Sequence, residues 1–182
     1  MMRISLNTME TSERAAQIFD ASMLVSEYML DPDREDNPRQ LSASDLYRMT
    51  SAVDMNDADI ETIDREPETT RAAYVQMLDS YAIYHLPPPM AASTDTFPAR
   101  DCEGCRLRFE SSRAESDQIY IIIELHDRHA DLPHVLIVSD ADNYCRHISL
   151  PAPRNGIIQL ISQRNSPLME MLSDPRTKVI LR

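Results

Sequence analysis

Apolar positions are spaced differently in the two halves of the chain. Up to residue 85 they recur every three or four positions, as along one face of a helix. Ser42 with Asp45 three residues later predicts a capping box at the start of one helix. The first half is therefore predicted to be a small helical bundle. Its helices are expected at Thr11–Leu30, after Ser42, after Asn56 or Asp57, and from Pro67 onward.

Beyond residue 101 apolar and polar positions alternate, or apolar residues form short runs, as in β-strands. Turn-forming residues separate these segments at intervals typical of a β-rich unit. The predicted strands are Arg106–Ser111, Gln118–Leu125, Val135–Val138, Cys145–Leu150, Ile157–Ile161 and Lys178–Arg182. Pro167, placed at the start of Ser166–Leu172, predicts one short helix there.

A proline-rich segment separates the two patterns. Pro87, Pro88 and Pro89 are followed by small and polar residues up to Pro98, a composition typical of a stiff and then irregular linker. The sequence thus predicts an α+β protein. It would have an acidic helical domain at 1–85, a Pro-rich linker at 86–101, and a β-rich, mostly antiparallel C-terminal domain at 102–182.

Charge divides near the same boundary. The 182-residue chain has a formal net charge of -12, of which residues 1–98 carry −11 and residues 99–182 carry −1. A negative field repels phosphates, so direct binding of nucleic acid or an anionic membrane is not expected. A partner with a basic surface fits the helical half, and a solvated acidic face kept for solubility is the alternative.

Composition excludes several functional classes. The chain has only 2 glycines, Gly104 and Gly156, which excludes the glycine-rich loops that hold nucleotide phosphates. There is no Gly-x-Ser-x-Gly nucleophile elbow. No apolar run approaches the roughly 20 residues that span a bilayer, and the N-terminus has no apolar core of a secretory signal. We therefore expect a cytoplasmic protein without catalytic activity, with its three cysteines reduced.

The cysteines suggest a metal site. Cys102 and Cys105 form a Cys-x-x-Cys turn, and Cys145 and His147 follow about forty residues later. Three thiolates and an imidazole would complete a tetrahedral structural zinc site. Incidental thiols in a turn are the alternative, and a redox pair is a weaker one because no helix N-terminus follows. A second candidate metal site is a polar loop with His126, Asp127, His129, Asp131 and His134.

The segments Ala52–Glu61 and Arg65–Tyr74 resemble the helical N-terminal module of anti-sigma factors. In that module an Asp-containing turn precedes an acidic helix, and an Asp/Glu-Pro-Glu sequence starts the next helix. The resemblance covers residues 43–84, and it departs from the family pattern because the zinc-binding histidine and cysteine are absent there. It implies a zinc-free bacterial regulator that binds a sigma-type factor. The partner-binding residues would be Asp57, Asp59 and Glu61.

These patterns lead to one functional hypothesis and two alternatives. The hypothesis is a regulatory protein-binding module that binds a basic transcription factor through its acidic helical half. The alternatives are a small zinc-binding protein and a scaffold subunit of a larger complex.

Overall fold

A computed structural model describes residues 41–52, 55–89, 97–127 and 132–182. The helix expected at Thr11–Leu30 lies outside these residues. The described residues form an α+β protein that divides into a helical unit and a β-rich unit. The helices are α1 (Ala43–Ser51), α2 (Asp57–Asp64), α3 (Glu68–Ser80) and α4 (Pro167–Ser173). The strands are β1 (Tyr84–Leu86), β2 (Arg100–Cys102), β3 (Cys105–Ser111), β4 (Gln118–Leu125), β5 (Val135–Ser139), β6 (Cys145–Ser149), β7 (Ile157–Gln163) and β8 (Lys178–Leu181).

The helical unit begins with the predicted capping box. The Asp45 N–H donates to the Ser42 hydroxyl oxygen at 3.2 Å, and the Ser42 N–H donates to the Asp45 carboxylate at 3.1 Å. Hydrogen bonds from Ser42 hold the pKa of Asp45 below its usual range. The box satisfies donors that the first turn of α1 would otherwise leave unpaired, so the prediction is confirmed.

Helix α3 packs against both α1 and α2. Its buried face includes Tyr74 and Leu78, which are 1% exposed, as is Ile63 of α2. Pro67 is the N-cap of α3, and its carbonyl oxygen accepts from Arg71 at 3.1 Å. No helix in the described part of the chain combines the length and the apolar character that a bilayer crossing requires.

The β-rich unit contains two four-stranded antiparallel sheets. The first sheet has the order β1-β8-β5-β6, and the second has the order β2-β3-β4-β7. Alternate residues of both sheets contribute to one core, together with Met169 and Leu172 of α4. Leu136 and Leu181 of the first sheet and Leu107 and Ile121 of the second are fully buried in it. Burial of these apolar side chains is the main stabilising contribution to this unit.

Two short strands were not predicted from the sequence. β1 lies within the segment expected to be helical or linker, and β2 begins inside the expected linker 86–101. β1 pairs with β8, so Tyr84 lies opposite Leu181. The pattern failed here because three residues are too few to establish a period of two. The other predicted strands, and the short helix after Ser166, are confirmed.

Candidate functional site

Cys102 and Cys105 lie together at one corner of the second sheet. They are cross-strand partners on either side of the turn that joins β2 to β3. Cys105 is 0% exposed within the core, and Cys102 is partly exposed and packs against the same core. Burial raises the pKa of Cys102, and hydrogen bonding with Cys105 partly offsets that shift. The spacing therefore places the two cysteine side chains next to each other on one face of the sheet.

Cys145 and His147 lie on the first sheet, facing away from the shared core. In the β5–β6 pairing His147 lies opposite Ile137, between neighbours whose side chains enter the core. Side chains alternate along a strand, so Cys145 and His147 project from the opposite face. The structure does not bring them to Cys105. Across the described residues, no three His, Cys, Asp or Glu side chains are grouped as metal ligands.

Burial governs the ionisation of His147. It lowers the pKa of the imidazole to about 4, and the positive charge of Arg182 adds to the shift. The imidazole is therefore neutral at physiological pH.

Asp127 and Tyr84 complete the corner around the two thiols. The Tyr84 hydroxyl donates a hydrogen bond to Asp127 Oδ1. Gly104, in the turn, has a φ of +82°, and a Cβ added there would overlap the Asp127 carboxylate. The Gly104 carbonyl oxygen accepts from the His126 N–H at 2.8 Å, which fixes the chain beside Asp127. Only glycine combines this backbone conformation with this close approach.

Ionisation of the two thiols and of the Tyr84 phenol is disfavoured. Burial raises the pKa of Cys105 to about 12, and the charges of Cys102 and Asp127 act in the same direction. Burial also raises the pKa of Cys102. Burial and the hydrogen bond to Asp127 raise the pKa of Tyr84. Both thiols and the phenol are therefore protonated at neutral pH, unlike the thiolate of a thioredoxin-type nucleophile.

The expected partner-binding acids lie on α2. Asp57 is its first residue, Asp59 is partly exposed, and Glu61 is exposed. The Glu61 carboxylate pairs with the Arg65 guanidinium at 2.9 Å, and both side chains are more than half exposed. Such a pair contributes little to stability. It does reduce the negative charge that Glu61 presents.

Of the polar loop expected to hold a metal, His129 and Asp131 lie outside the described residues. Asp127 takes part in the thiol corner. His134 lies just before β5, where its N–H donates to the Arg182 carbonyl oxygen at 2.7 Å.

Strand β7 forms one edge of the second sheet. Gly156 and Arg164 flank this strand, and the backbone of each forms a hydrogen bond on the β4 side. The Leu125 N–H donates to the Gly156 carbonyl oxygen at 2.7 Å, and the Arg164 N–H donates to the Asp117 carbonyl oxygen at 2.7 Å. In an antiparallel pair the direction of the backbone groups alternates. Even-numbered residues of β7 therefore bond to β4, and odd-numbered residues direct their N–H and C=O groups outward.

The middle of this outward edge lacks partners among the described residues. Ile157 exchanges hydrogen bonds with Arg154 at 3.0 and 2.8 Å, and the Gln163 carbonyl oxygen accepts from the N-cap residue of α4 at 3.0 Å. Within the described ranges, the outward N–H and C=O groups of Gln159 and Ile161 have no hydrogen-bond partner. We call these four groups the open edge.

Apolar side chains accompany the open edge. Ile161 is 60% exposed and Ile157 is 44% exposed, on the sheet face that lies away from the core. Tyr120 lies opposite Ile161 on the same face. No residue of β7 is charged, and none is proline or glycine. Exposed strand edges usually carry lysine, proline or a bulge that prevents further pairing, so this edge is suited to accept another strand.

The described residues thus define an α+β protein with a helical unit, a two-sheet β-rich unit, a partly buried thiol corner and an open edge. Comparison with protein-family models, with curated proteins and with solved structures finds no match to this chain.

Sequence reasoning did not find Tyr84, Asp127 as part of the thiol corner, or the open edge. The helical pattern extends to Tyr84, and the Asp127 side chain comes beside Gly104 and Tyr84 through strand pairing between distant segments. The lack of charge in Ile157–Gln163 was the available signal for the open edge.

Proposed function

We propose that this protein is a regulatory protein-binding module without catalytic activity, and that its partner adds an extended segment to the open edge of β7. The supporting observation is the set of outward backbone groups at Gln159 and Ile161, beside the exposed Ile161 side chain. In strand addition, main-chain hydrogen bonds supply affinity, and alternate side chains supply specificity.

The partner segment is expected to be short and apolar at alternate positions. The backbone groups of Ile157 and the Gln163 carbonyl oxygen already have hydrogen-bond partners. A segment of about three residues would therefore pair with the four groups of the open edge. Its side chains on the outer face would contact Ile157, Ile161 and Tyr120. These three residues supply apolar area for burial.

Charge favours acidic residues on either side of that segment. Arg154 and Arg164 lie at the two ends of β7. A second copy paired antiparallel with β7 would bring Arg154 of one chain toward Arg164 of the other, which is unfavourable. A partner with flanking carboxylates would instead complement both arginines.

Two variants of Ile161 test this proposal. Ile161→Lys places a charge on the edge, and Ile161→Pro removes an outward N–H without removing a bond to β4. Leu132→Lys is the matched control, because Leu132 is 55% exposed and lies outside β7. Each full-length protein is immobilised, and proteins captured from host lysate are quantified by mass spectrometry.

The expected result is a partner lost with both Ile161 variants and retained with Leu132→Lys. Hydrogen exchange of the complex should then show protection of the Gln159 and Ile161 amides. Capture that is the same for all three variants contradicts docking at the open edge.

The acidic helical unit supports a second candidate function, binding of a basic, sigma-type factor. Residues 41–52 and 57–81 carry eight carboxylates and three arginines. Charge reversal at Asp57, Asp59 and Glu61 should weaken capture of a basic partner and reduce its salt dependence. Glu115→Lys, in the β-rich unit, is the control. Capture that is insensitive to the helical changes removes the electrostatic basis of this candidate.

A further inference from the structure

We propose that Cys102 and Cys105 form a redox-reversible modification site, which closes to an intrachain disulfide by exchange with a low-molecular-weight disulfide such as oxidised glutathione. The inference is independent of the docking proposal. It rests on the placement of the two cysteines in the β2–β3 hairpin and on their unequal exposure, and among the described residues no third ligand groups with them.

The hairpin holds the two cysteines at a suitable separation. They are directly opposite each other in the pairing of β2 with β3. The Gly104 carbonyl oxygen bonds to the β4 side, and because the direction of backbone groups alternates, those of Cys105 point toward β2. Hydrogen-bonded cross-strand partners have Cα atoms about 5.5 Å apart. This separation lies within the roughly 4.4–6.8 Å range of disulfides. Their side chains share one face of the sheet, so both sulfurs project from the same side of the hairpin.

Unequal exposure gives each cysteine a distinct role. Cys102 is partly exposed, so its sulfur can meet a small disulfide from solvent. Cys105 is 0% exposed and lies directly opposite Cys102, so it is placed to resolve a mixed disulfide on Cys102. Cys145 lies on a different sheet, on the face away from the core, and is not expected to take part.

The exchange proceeds in two balanced steps. Because burial raises the pKa of Cys102, only a small fraction of its thiol is ionised, and this thiolate slowly attacks one sulfur of oxidised glutathione, which releases one glutathione thiolate and leaves a mixed disulfide. The Cys105 thiol then loses its proton and attacks the Cys102 sulfur, which releases the second glutathione thiolate. Both thiolates take up protons. The protein has lost two electrons and two protons, and two molecules of reduced glutathione have formed.

The surroundings favour a disulfide over a metal ion at this corner. A structural zinc site requires four ligands. Among the described residues no third His, Cys, Asp or Glu groups with the two thiols as a ligand set. A disulfide needs only the two cysteines that the hairpin already places opposite each other. Carboxylate Oδ1 of Asp127 meanwhile accepts from Tyr84.

The test is a glutathione redox titration of the full-length protein. The protein is equilibrated at a series of ratios of reduced to oxidised glutathione with a chelator present, then quenched with acid. Remaining thiols are alkylated, and peptides are mapped by mass spectrometry. We expect a peptide linked through Cys102 and Cys105 that increases with the oxidised fraction and disappears on addition of dithiothreitol.

Variants separate this disulfide from other thiol reactions. Cys145→Ser should leave the titration unchanged. Cys105→Ser should stop the reaction of Cys102 at the mixed disulfide with glutathione, and circular dichroism confirms that this variant is folded. The proposal is overturned if the wild-type protein accumulates only the mixed disulfide. It is also overturned if both thiols are alkylated at every ratio.

Discussion

The Arg100 guanidinium donates a hydrogen bond to the Thr177 carbonyl oxygen at 2.9 Å, across 77 positions of sequence. Its other terminal nitrogen donates to the carbonyl oxygens of Leu172 and Asp174 at 3.2 and 3.1 Å. The last carbonyls of a helix lack partners within the helix. One side chain of β2 therefore satisfies the end of α4 and the turn that leads into β8.

Removal of this side chain should destabilise the β-rich unit. Arg100 is 1% exposed, and Arg100→Met would remove a donor from three carbonyl oxygens, of which, among the described residues, only that of Asp174 keeps another, the Thr177 N–H. We expect a loss of about 3 kcal/mol in the free energy of unfolding, measured in urea. Arg176→Met is the control, since Arg176 is exposed and its pairing with Asp174 is at the surface. Equal stability of Arg100→Met and wild type would show that these bonds contribute no net stability.

Gly104→Ala should also be destabilising. The change forces an L-residue into a φ of +82° and directs a methyl group at the Asp127 carboxylate. We expect a loss of about 2 kcal/mol in the free energy of unfolding. In the background Asp127→Ala the overlap disappears, so the same glycine change should cost less, about 1 kcal/mol. An identical cost in both backgrounds would assign the whole effect to the backbone.

Acidification should destabilise the β-rich unit through His147. Its pKa is about 4 in the folded chain and near 6.5 when unfolded, because burial disfavours the imidazolium. A lowered pKa means that the contribution is fully present above pH 6.5 and is lost as pH falls toward 4. Urea unfolding between these values should give a weaker dependence on pH for His147→Gln than for wild type. The same dependence in both proteins contradicts the assignment.

The open edge should influence aggregation as well as docking. Ile161→Lys is expected to change the free energy of unfolding by less than about 0.5 kcal/mol, because Ile161 is already exposed. It should nevertheless slow aggregation on heating, because a lysine on an edge strand opposes strand pairing between molecules. Light scattering during a thermal ramp measures this, with Leu132→Lys as the control. A similar delay with both variants would indicate a general effect of charge.

Much of the β-rich unit could be predicted from the sequence because its strands are locally patterned. The run around Ile121 and the alternation at Leu107 each specify a strand without reference to distant residues. β1 could not be predicted, because Tyr84 is held in a strand by pairing with Leu181. Local periodicity contains no information on such long-range pairing.

The candidate sites could likewise be predicted from the sequence only where they depend on local spacing. The turn at Cys102 and Cys105 brings those thiols together through spacing alone. The His147 side chain projects away from the shared core because of the register between β6 and β5. The backbone groups of Ile161 are unpaired because β7 lies at the edge of its sheet. Pairing between distant strands decides both, and the sequence pattern does not specify which strands pair.

The position of β8 has a consequence for biosynthesis. β8 lies between β1 and β5 in the first sheet, although it is the last of the described strands to be made. While the chain is being translated, β1 and β5 have no strand between them. Their apolar residues, which include Leu86 and Leu136, cannot pack against β8 until it has left the ribosomal exit tunnel. Until then the unpaired strand edges and apolar side chains are open to the intermolecular contacts that cause aggregation of partly folded chains.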